Sequence, residues 1–334
     1  MRSTMSHPIR YSAPGRAGIL GNPSDLCGGT VLSCAIPLRA RCTLEPAEHL
    51  VFQSPRQTLM PESFELQGDA FDGCRVALRA FGYAPESAHF ALRIETDIPP
   101  QSGLAGSSAL LTTIVACLLK VQGDSEPLPH RLAERVRRIE AELLQVACGY
   151  QDFYMAVFGG IQLMDFRDKE GLGREAHEPP ATVESLQPYL RGVALPLWLA
   201  TTGGTRFSGT VHRSLRERWE AGEPAVVEGM ARLARLAREG CTALLEQDWR
   251  TLGRLMNENY AIVHELGGSG ESLHRLVEIA HANGALGAKL AGAGGAGGTI
   301  IVLTLEPEHT LNALRPYAGQ IIPLAPFAPG LLAR

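Results

Sequence analysis

The spacing of apolar residues along the chain predicts that strands and helices alternate. Residues 90–95 switch strictly between apolar and other side chains, which is the two-residue period of a half-buried strand. A similar alternation over 9–20 predicts an earlier strand that runs into a Gly-Asn-Pro loop. Over 129–147 apolar residues return every three or four positions, which indicates a helix with one buried face.

The second half of the chain contains longer amphipathic segments. Helices are predicted over 224–247, 249–266 and 270–283, and further strands over 159–166, 192–200 and 299–304. Between the halves, residues 167–188 are polar and rich in Gly and Pro, which is typical of a connecting segment. The pattern therefore predicts an α+β fold with two lobes, and we place the domains at 1–185 and 186–334.

Composition narrows the classes of protein that this chain can represent. Its 334 residues suit two domains, and its net charge of −4 disfavours a general nucleic-acid binder. No apolar run reaches the ~18 residues of a membrane span and no secretory leader is recognisable, so we expect a cytoplasmic protein without a membrane partner. The seven cysteines include no C-x-x-C pair, which argues against a zinc site or a disulfide framework. The oligomeric state stays open.

The segment from Pro99 to Ala109 joins a strand end, a glycine loop and two serines at the start of a helix. The first amides of a helix have no partner within the helix and carry partial positive charge, so they attract anions. Glycines let backbone amides approach a phosphate closely, and Ser107 and Ser108 add hydroxyl ligands. The segment therefore predicts a triphosphate-binding loop, with a plain capped helix as the alternative. It is not a Walker A loop, because no lysine lies here.

This segment resembles the second signature of the GHMP kinases, roughly P-x-x-x-G-L-G-S-S-A, with Ala105 as an extra residue. Residues 13–25 resemble the first signature of that family and residues 287–298 the third, in the family's order. The resemblance implies a ribosomal-S5-like N-terminal lobe, a ferredoxin-like C-terminal lobe, and the use of ATP with Mg²⁺. It also implies that ATP contacts the second signature, at Pro100, Ser102, Gly103, Leu104, Ala105, Gly106, Ser107 and Ser108.

The first signature contains the residues that indicate which molecule accepts the phosphoryl group. The family counterpart of Arg16 lies near the reacting groups, so the resemblance implies a catalytic role in stabilising the transferred charge. Galactokinases keep an Asp that binds sugar hydroxyls at the spacing of Asp25, but they carry Glu-His where this chain has Asn22-Pro23. That departure argues against galactose and resembles glucuronokinase-like sequences. Asn22 and Asp25 are thus predicted to bind a polyol by hydrogen bonds, with an Asx-turn at Asp25 as the alternative.

Two acidic residues match the galactokinase-like branch of the family. Asp152, in Cys148-Gly149-Tyr150-Gln151-Asp152, matches the catalytic Asp that accepts the hydroxyl proton. Glu140 lies twelve residues earlier, at the spacing of the magnesium-binding Glu, and flanks the apolar stripe of its helix. Magnesium prefers few protein oxygens together with phosphates and water, so Glu140 and Ser108 form a suitable pair. The rival Glu142 is predicted to face solvent.

The remaining polar segments have several readings. In the third signature, Gly294 and Gly295 are predicted to approach the substrate, although the glycines also suit a tight hairpin. Lys289, just before them, has either a structural or a phosphate-binding role. Arg206 is predicted to pair with a substrate carboxylate or phosphate, with surface charge as the alternative. The segment that contains His212 resembles a glucuronokinase-like S-G-x-V-H stretch, and an ordinary helix residue is the alternative.

These motifs predict an ATP- and Mg²⁺-dependent sugar kinase that phosphorylates a sugar or uronic acid hydroxyl, glucuronokinase-like and with an anomeric 1-phosphate as product. A kinase of D-glycero-D-manno-heptose 7-phosphate is the first alternative, and it needs a second anion site. An ATP-dependent decarboxylase fits the sugar-type first signature poorly. A non-catalytic sensor of ATP and sugar is the alternative from another class.

Overall fold

The computed structural model describes residues 7–124, 128–167, 181–202, 208–292, 294–295 and 297–333, without the side chains of 208–213. Seven consecutive strands and four helices of the described chain build the first lobe, and an eighth strand, from residues 332–333, joins its sheet. The strands are β1 (Ile9–Leu20), β2 (Thr30–Pro46), β3 (Val51–Gln53), β4 (Thr58–Leu59), β5 (Phe90–Thr96), β6 (Ile161–Asp165) and β7 (Thr182–Ser185). The helices are α1 (Asp72–Ala80), α2 (Gly106–Val121), α3 (Pro129–Leu143) and α4 (Gln151–Phe158).

The second lobe continues with longer helices. Its strands are β8 (Leu197–Thr201), β9 (Gly287–Leu290), β10 (Thr299–Leu303) and β11 (Gln320–Pro323). Its helices are α5 (Ser208–Glu220), α6 (Pro224–Leu245), α7 (Trp249–Glu265), α8 (Glu271–Ala282) and α9 (Pro307–Leu314), and the chain closes with β12 (Leu332–Ala333). The α+β fold predicted from the sequence is confirmed. None of the helices in the described ranges is long and apolar enough to cross a membrane.

Each lobe has its own sheet. The first has the order β12-β1-β2-β5-β3-β4, with β6 paired to β2 and β7 paired to β6. Its pairings are antiparallel except β3 with β5. The second sheet has the order β11-β8-β10-β9 and is antiparallel throughout. The glycine-rich third signature therefore connects two paired strands, β9 and β10.

A continuous apolar core joins the lobes. Leu20 and Leu32 on the first sheet belong to the same buried cluster as Leu236 on α6 and Ile301 on β10. A second cluster fills the first lobe, where α1 to α4 cover the sheet. Burial of apolar area at roughly 25 cal/mol per Å² is the main stabilising term for such a core. The three signatures are thereby held against one another at the junction of the two sheets.

The end of the chain returns to the first sheet. In β12, Leu332 and Ala333 pair with Ser12 and Tyr11 of β1. The buried guanidinium of Arg39 donates hydrogen bonds to the carbonyls of Pro329 and Gly330, at 2.6 and 2.7 Å. Hydrogen bonds also run from Leu331 N to Val157 O and from Gly160 N to Ala328 O, so this tail packs against the C-terminal end of α4.

Two element boundaries differ from the sequence-based expectation. The helix predicted over 129–147 ends at Leu143, and Gln145 has a φ of +54°, which a helix cannot contain. The strand predicted over 192–200 begins only at Leu197, after Gly192 with φ +81° and Pro196, whose nitrogen cannot donate. The end of α8 agrees with the predicted helix over 270–283: α8 ends at Ala282, and Gly284 follows with a φ of +87°, as is common after a helix.

Candidate active site

Arg16 joins the three signatures to Asp152. Its guanidinium is buried, and Nε and Nη2 lie 2.7 and 2.6 Å from Oδ1 of Asp152. Nη1 donates to the carbonyl of Gly103 in the second signature at 2.6 Å and to that of Ala291 in the third at 3.5 Å. One side chain from β1 therefore contacts both glycine loops and the predicted base.

Close backbone approach makes this junction possible. A Cβ atom on Gly292 would lie 2.3 Å from the carbonyl oxygen of Gly103 and 3.3 Å from Nη1 of Arg16. No real side chain tolerates the first of these distances, so glycine is required where the third signature crosses the second. The backbone nitrogen of Arg16 also donates to the carbonyl of Leu104 at 3.1 Å. The three segments thus form one surface.

The second signature forms a loop with two residues in the left-handed region just before α2. Gln101 and Ala105 have φ values of +55° and +60°, a conformation that costs about 1 kcal/mol for residues other than glycine. The helix α2 begins directly after Ala105, and no side chain of the described chain caps its first amides. The hydroxyl of Ser102 is buried without a hydrogen-bond partner among the described residues. Unpaired amides and a buried unpaired hydroxyl suit a polar ligand.

The predicted ATP-binding residues lie at different depths in this loop. Pro100 and Ser107 are exposed, and Gly103 and Gly106 are half-buried. The side chains of the other four, Ser102, Leu104, Ala105 and Ser108, are buried. Leu104 belongs to the apolar core, so only its backbone can take part in binding a nucleotide.

Asp152 lies in the first turn of α4, where its side chain is 24% exposed. Oδ1 accepts both Arg16 contacts, and Oδ2 has no partner among the described residues. The carboxylate therefore has one oxygen fixed by a cation and one available for a hydroxyl of a bound molecule. This is the geometry expected of a residue that receives a proton from an acceptor.

Ser108 and Glu140 form the predicted pair. The Ser108 hydroxyl donates to Oε2 of Glu140 at 3.1 Å, and both residues are buried. Burial, and next the negative charge of Asp152, raise the pKa of Glu140 to about 7, and the hydrogen bond from Ser108 and the charge of Arg137 oppose the rise. The rival Glu142 is exposed, as the sequence predicted.

These two oxygens fit a magnesium site. A buried carboxylate with a raised pKa lacks sufficient positive charge around it, which a bound cation would supply. Within the described residues there is no cluster of three or more His, Cys, Asp or Glu that would coordinate a metal by itself. Magnesium tolerates so sparse a set because phosphates and water complete its six ligands.

Asp25, a predicted acceptor ligand, faces into the protein. Its side chain is 2% exposed and accepts hydrogen bonds from the backbone nitrogens of Tyr150 and Gln151 and from Nε2 of Gln151. Burial, and next the charge of Asp152, raise its pKa to about 6, whereas the backbone donors and Arg16 lower it. The contacts connect the first signature to the start of α4.

Asn22, the second predicted acceptor ligand, is 1% exposed. Its Nδ2 donates to the carbonyls of Leu290 and Gly292 at 3.4 and 3.2 Å, and its Oδ1 accepts from Nζ of Lys289 at 2.7 Å. Lys289 also donates to the carbonyl of Gly18 at 3.0 Å, and burial holds its pKa well below the ordinary value. These contacts link the first signature to β9, so the geometry favours a structural role for Lys289.

The other predicted ligands are less defined. Gly295 donates from its nitrogen to the carbonyl of Gly268 at 2.9 Å, and a Cβ on Gly294 would lie 1.8 Å from the same oxygen. These two glycines pack on the turn before α8, and substrate contact by them remains a prediction. Arg206 and the side chain of His212 lie outside the described residues.

Several residues at the site were missed in the sequence. Gln151 and Gly149 shape the entry to α4, and Arg137 donates to the carbonyl of Gly149 at 3.2 Å. Asn259 accepts from the nitrogen of Gly21 at 2.8 Å. The helical spacing of Arg137, three residues before Glu140, was the one available signal, but an arginine on a helix is ordinarily exposed.

Comparison with known families identifies the fold. The profile described as GHMP kinases N terminal domain matches residues 71–160, and GHMP kinases C terminal matches 242–318. A third profile, the galactokinase galactose-binding signature, matches residues 2–46. The three matches cover the three signatures in order.

Individual relatives agree with these profiles. The chain is 34% identical to Glucuronokinase 1 of Arabidopsis thaliana over 315 residues, which covers 86% of this chain and 83% of the relative. It is 27% identical to D-glycero-alpha-D-manno-heptose 7-phosphate kinase of Campylobacter jejuni, with 94% and 95% covered. Among solved structures, a D-glycero-D-manno-heptose 1-phosphate kinase from Bacteroides thetaiotaomicron superimposes with a TM-score of 0.73 at 22% identity and covers 98% of both chains. The ordered signatures, the two-sheet fold and these similarities show that the chain belongs to the GHMP kinase family and is a sugar kinase.

Proposed function

We propose that this kinase transfers the γ-phosphoryl group of ATP to the anomeric hydroxyl of D-glucuronate or a closely similar sugar acid, with Mg²⁺, to give a sugar 1-phosphate. The geometry of Asp152 supports phosphoryl transfer best: Arg16 fixes one carboxylate oxygen, and the other has no partner within the described chain. The 34% identity to Glucuronokinase 1 over most of both chains supports the choice of acceptor. A cytoplasmic location and the absence of a nucleic-acid partner are part of the proposal.

Asp152 is the proposed base. Its Oδ2 accepts the proton of the acceptor hydroxyl as the hydroxyl oxygen attacks the γ-phosphorus, and ADP leaves. Arg16 donates one hydrogen bond from Nε to Oδ1 and pairs ionically with the same oxygen through Nη2, and these contacts hold the carboxylate in place. Positioning of this kind accounts for much of the catalysis in phosphoryl transfer, since the transition state needs little covalent help from the protein.

The cationic and amide groups lie beside this base. The Arg16 guanidinium and the first amides of α2 supply fixed positive charge at the junction of the loops, where charge on the phosphoryl oxygens is expected to develop. Ser108 and Glu140 are the residues that would hold Mg²⁺. When bound, the ion neutralises charge on the phosphate oxygens.

A heptose 7-phosphate is the second candidate acceptor, because the Campylobacter jejuni relative covers nearly the whole chain. Such an acceptor needs cationic side chains for its phosphate. Arg206 is the residue that we assign to that role, and it lies outside the described residues. For D-glucuronate the same arginine would pair with the carboxylate.

An ADP-release assay with a panel of acceptors tests the proposal. The panel contains D-glucuronate, D-galacturonate, D-galactose, D-glycero-D-manno-heptose 7-phosphate and mevalonate, each with and without Mg²⁺. We expect turnover on D-glucuronate, and phosphorus NMR should place the new phosphate at C1. Turnover only on the heptose phosphate would favour the second candidate, and ATP binding without ADP release would favour a sensor.

A further inference from the structure

We infer that Asp25 is a positioning residue that holds the start of α4 and thereby sets the place of Asp152, and that it does not contact the acceptor. The inference rests on the proposed role of Asp152 as the base. It reverses the role that the first signature suggested for Asp25. Three features of the structure carry it: the hydrogen bonds of Asp25, the packing of Gly149 and the anchoring of Gln151.

The hydrogen bonds of Asp25 converge on the two residues before Asp152. Oδ2 accepts from the backbone nitrogen of Tyr150 at 2.9 Å and from that of Gln151 at 3.1 Å, and Oδ1 accepts from Nε2 of Gln151 at 3.1 Å. A carboxylate that satisfies the first amides of a helix stabilises that helix end in the same way as an N-cap residue. Here the cap comes from another segment, so it fixes α4 relative to the first signature.

The packing around Gly149 confirms that this contact is close. A Cβ atom on Gly149 would lie 1.9 Å from Oδ2 of Asp25, so no other residue fits at position 149 without moving the carboxylate. Arg137 also donates to the carbonyl of Gly149, and its guanidinium lies 3.8 Å from the centre of the Tyr150 ring. The residues that lead into α4 are therefore held by contacts with both Asp25 and Arg137.

Gln151 extends the anchor to the first sheet. Its Oε1 accepts from the hydroxyl of Ser33 on β2 at 2.9 Å, and its Nε2 donates to Asp25. Both amide atoms of the side chain are thus used within the protein. Asp152 follows directly in the chain and is fixed by Arg16 on the neighbouring strand β1. The base is consequently held from two adjacent strands of one sheet.

Asp25 has little exposed surface and little hydrogen-bonding capacity left for a sugar. The side chain is 2% exposed, and three protein donors surround its two oxygens. An acceptor hydroxyl could reach it only after α4 had moved, which would also move Asp152. The structure therefore favours a positioning role for Asp25 over direct binding of the acceptor.

Kinetics of three variants test the inference: Asp25→Asn, Asp152→Asn and the double variant. If Asp25 acts through Asp152, Asp25→Asn lowers kcat by about 100-fold, the effect of a misplacement of about 1 Å, and leaves KM for D-glucuronate within about threefold. The double variant then has nearly the kcat of Asp152→Asn, because the loss is already complete. A large rise in KM with kcat retained, or losses that multiply in the double variant, would overturn the inference.

Asp248 offers a matched control. It caps α7 by accepting from the nitrogen of Thr251 at 3.0 Å, and it has no part in the site. Asp248→Ala removes this cap, costs about 1 kcal/mol of stability and should leave kcat unchanged. An equal loss of kcat in both capping variants would mean that general destabilisation explains Asp25, and would contradict the inference.

Hydrogen exchange gives a readout that needs no acceptor. In Asp25→Ala the amides of Tyr150 and Gln151 should exchange much faster, whereas amides in the middle of α2 should keep their protection. Unchanged exchange at 150 and 151 would overturn the inference. If the wild type fails to phosphorylate D-glucuronate, the proposed acceptor is wrong, and the kinetic comparison is made on the acceptor that the panel identifies. Failure of the proposed function and failure of the anchor are therefore distinguishable.

Discussion

The guanidinium of Arg16 and the carboxylate of Asp152 lie 2.6 Å apart, although 136 positions separate them in the chain. The pair couples the end of the first signature to the first turn of α4, and the same arginine contacts the other two signatures. Contact between the proposed base and a buried cation, on packed strands and helices, is the arrangement expected when catalysis depends on positioning.

The first prediction concerns the base. Asp152→Asn keeps the size of the side chain and an oxygen for Arg16, but its amide does not accept the acceptor proton. We expect kcat to fall by about 10²–10⁴-fold, the usual contribution of general base catalysis, with thermal stability little changed. The measurement is ADP release on the preferred acceptor, with Glu142→Gln, an exposed substitution, as control. Near-normal turnover in Asp152→Asn would reject the base assignment.

The second prediction concerns Glu140 and pH. The pKa of about 7 in the folded protein lies above the ordinary 4.5, so the folded state binds the proton more tightly than the unfolded chain. The stabilisation is complete below pH ~4.5 and is lost as the pH rises through about 7, with an upper bound of roughly 3 kcal/mol. The unfolding free energy of the ligand-free protein should therefore decline over this range.

Glu140→Gln removes that titration. Asp25, with a pKa of about 6, adds a decline of the same sign in both proteins, so the difference between wild type and variant isolates Glu140. Urea unfolding at several pH values measures it, and Glu142→Gln should behave like the wild type. Equal slopes for wild type and Glu140→Gln would show that Glu140 is not desolvated. At pH 8 the variant should also need far more Mg²⁺ for turnover, because the proposed metal ligand has lost its charge.

The third prediction concerns Lys289. Its Nζ donates to the carbonyl of Gly18 and to the side chain of Asn22, so Lys289→Met leaves buried acceptors unpaired. We expect a loss of unfolding free energy of about 1–3 kcal/mol, the cost of such unpaired groups. The KM for ATP should change little at a temperature where the variant is folded. Lys120, which is exposed, gives the matched control Lys120→Met. A stable variant with greatly weakened ATP binding would instead indicate a phosphate-binding lysine.

The fourth prediction concerns the extra residue of the second signature. Ala105 has a φ of +60°, and a β-branched side chain is disfavoured in that conformation more strongly than Ala. Ala105→Val should destabilise the loop and raise the KM for ATP, whereas Ala105→Gly should retain both stability and activity. Thermal unfolding and initial rates with varied ATP measure the two effects. Equal KM values for the Val and Gly variants would show that the loop backbone does not support nucleotide binding.

Much of this arrangement could be predicted because it depends on local pattern. Periodicity located the helices α3, α6, α7 and α8 and the strands β1, β5, β6, β8 and β10, and the glycines of the signatures marked the loops that meet at Arg16. The place of Glu140 beside an apolar stripe also follows from a short stretch of sequence, whereas the helix α4 that carries Asp152 was not predicted. Residue type and spacing are enough to predict the place of a side chain when it contacts residues near in the chain or faces solvent.

The direction of buried polar side chains could not be predicted. Asn22 is fixed by Lys289, 267 positions away, and Asp25 by amides 125 and 126 positions away. Such partners become neighbours only when both sheets have formed. The helix predicted over 129–147 was too long for the same reason: the chain leaves α3 after Leu143, and the backbone nitrogens of Tyr150 and Gln151 then bond to the distant Asp25.

The strand that closes the chain gives α4 a second support, opposite the one at its N-terminus. Leu331 donates to the carbonyl of Val157, and Arg39 secures the same tail through Pro329 and Gly330. Deletion of residues 329–333 should therefore inactivate the enzyme while most of its circular dichroism spectrum remains, because the helix bearing Asp152 would lose its distal support before the core is disturbed.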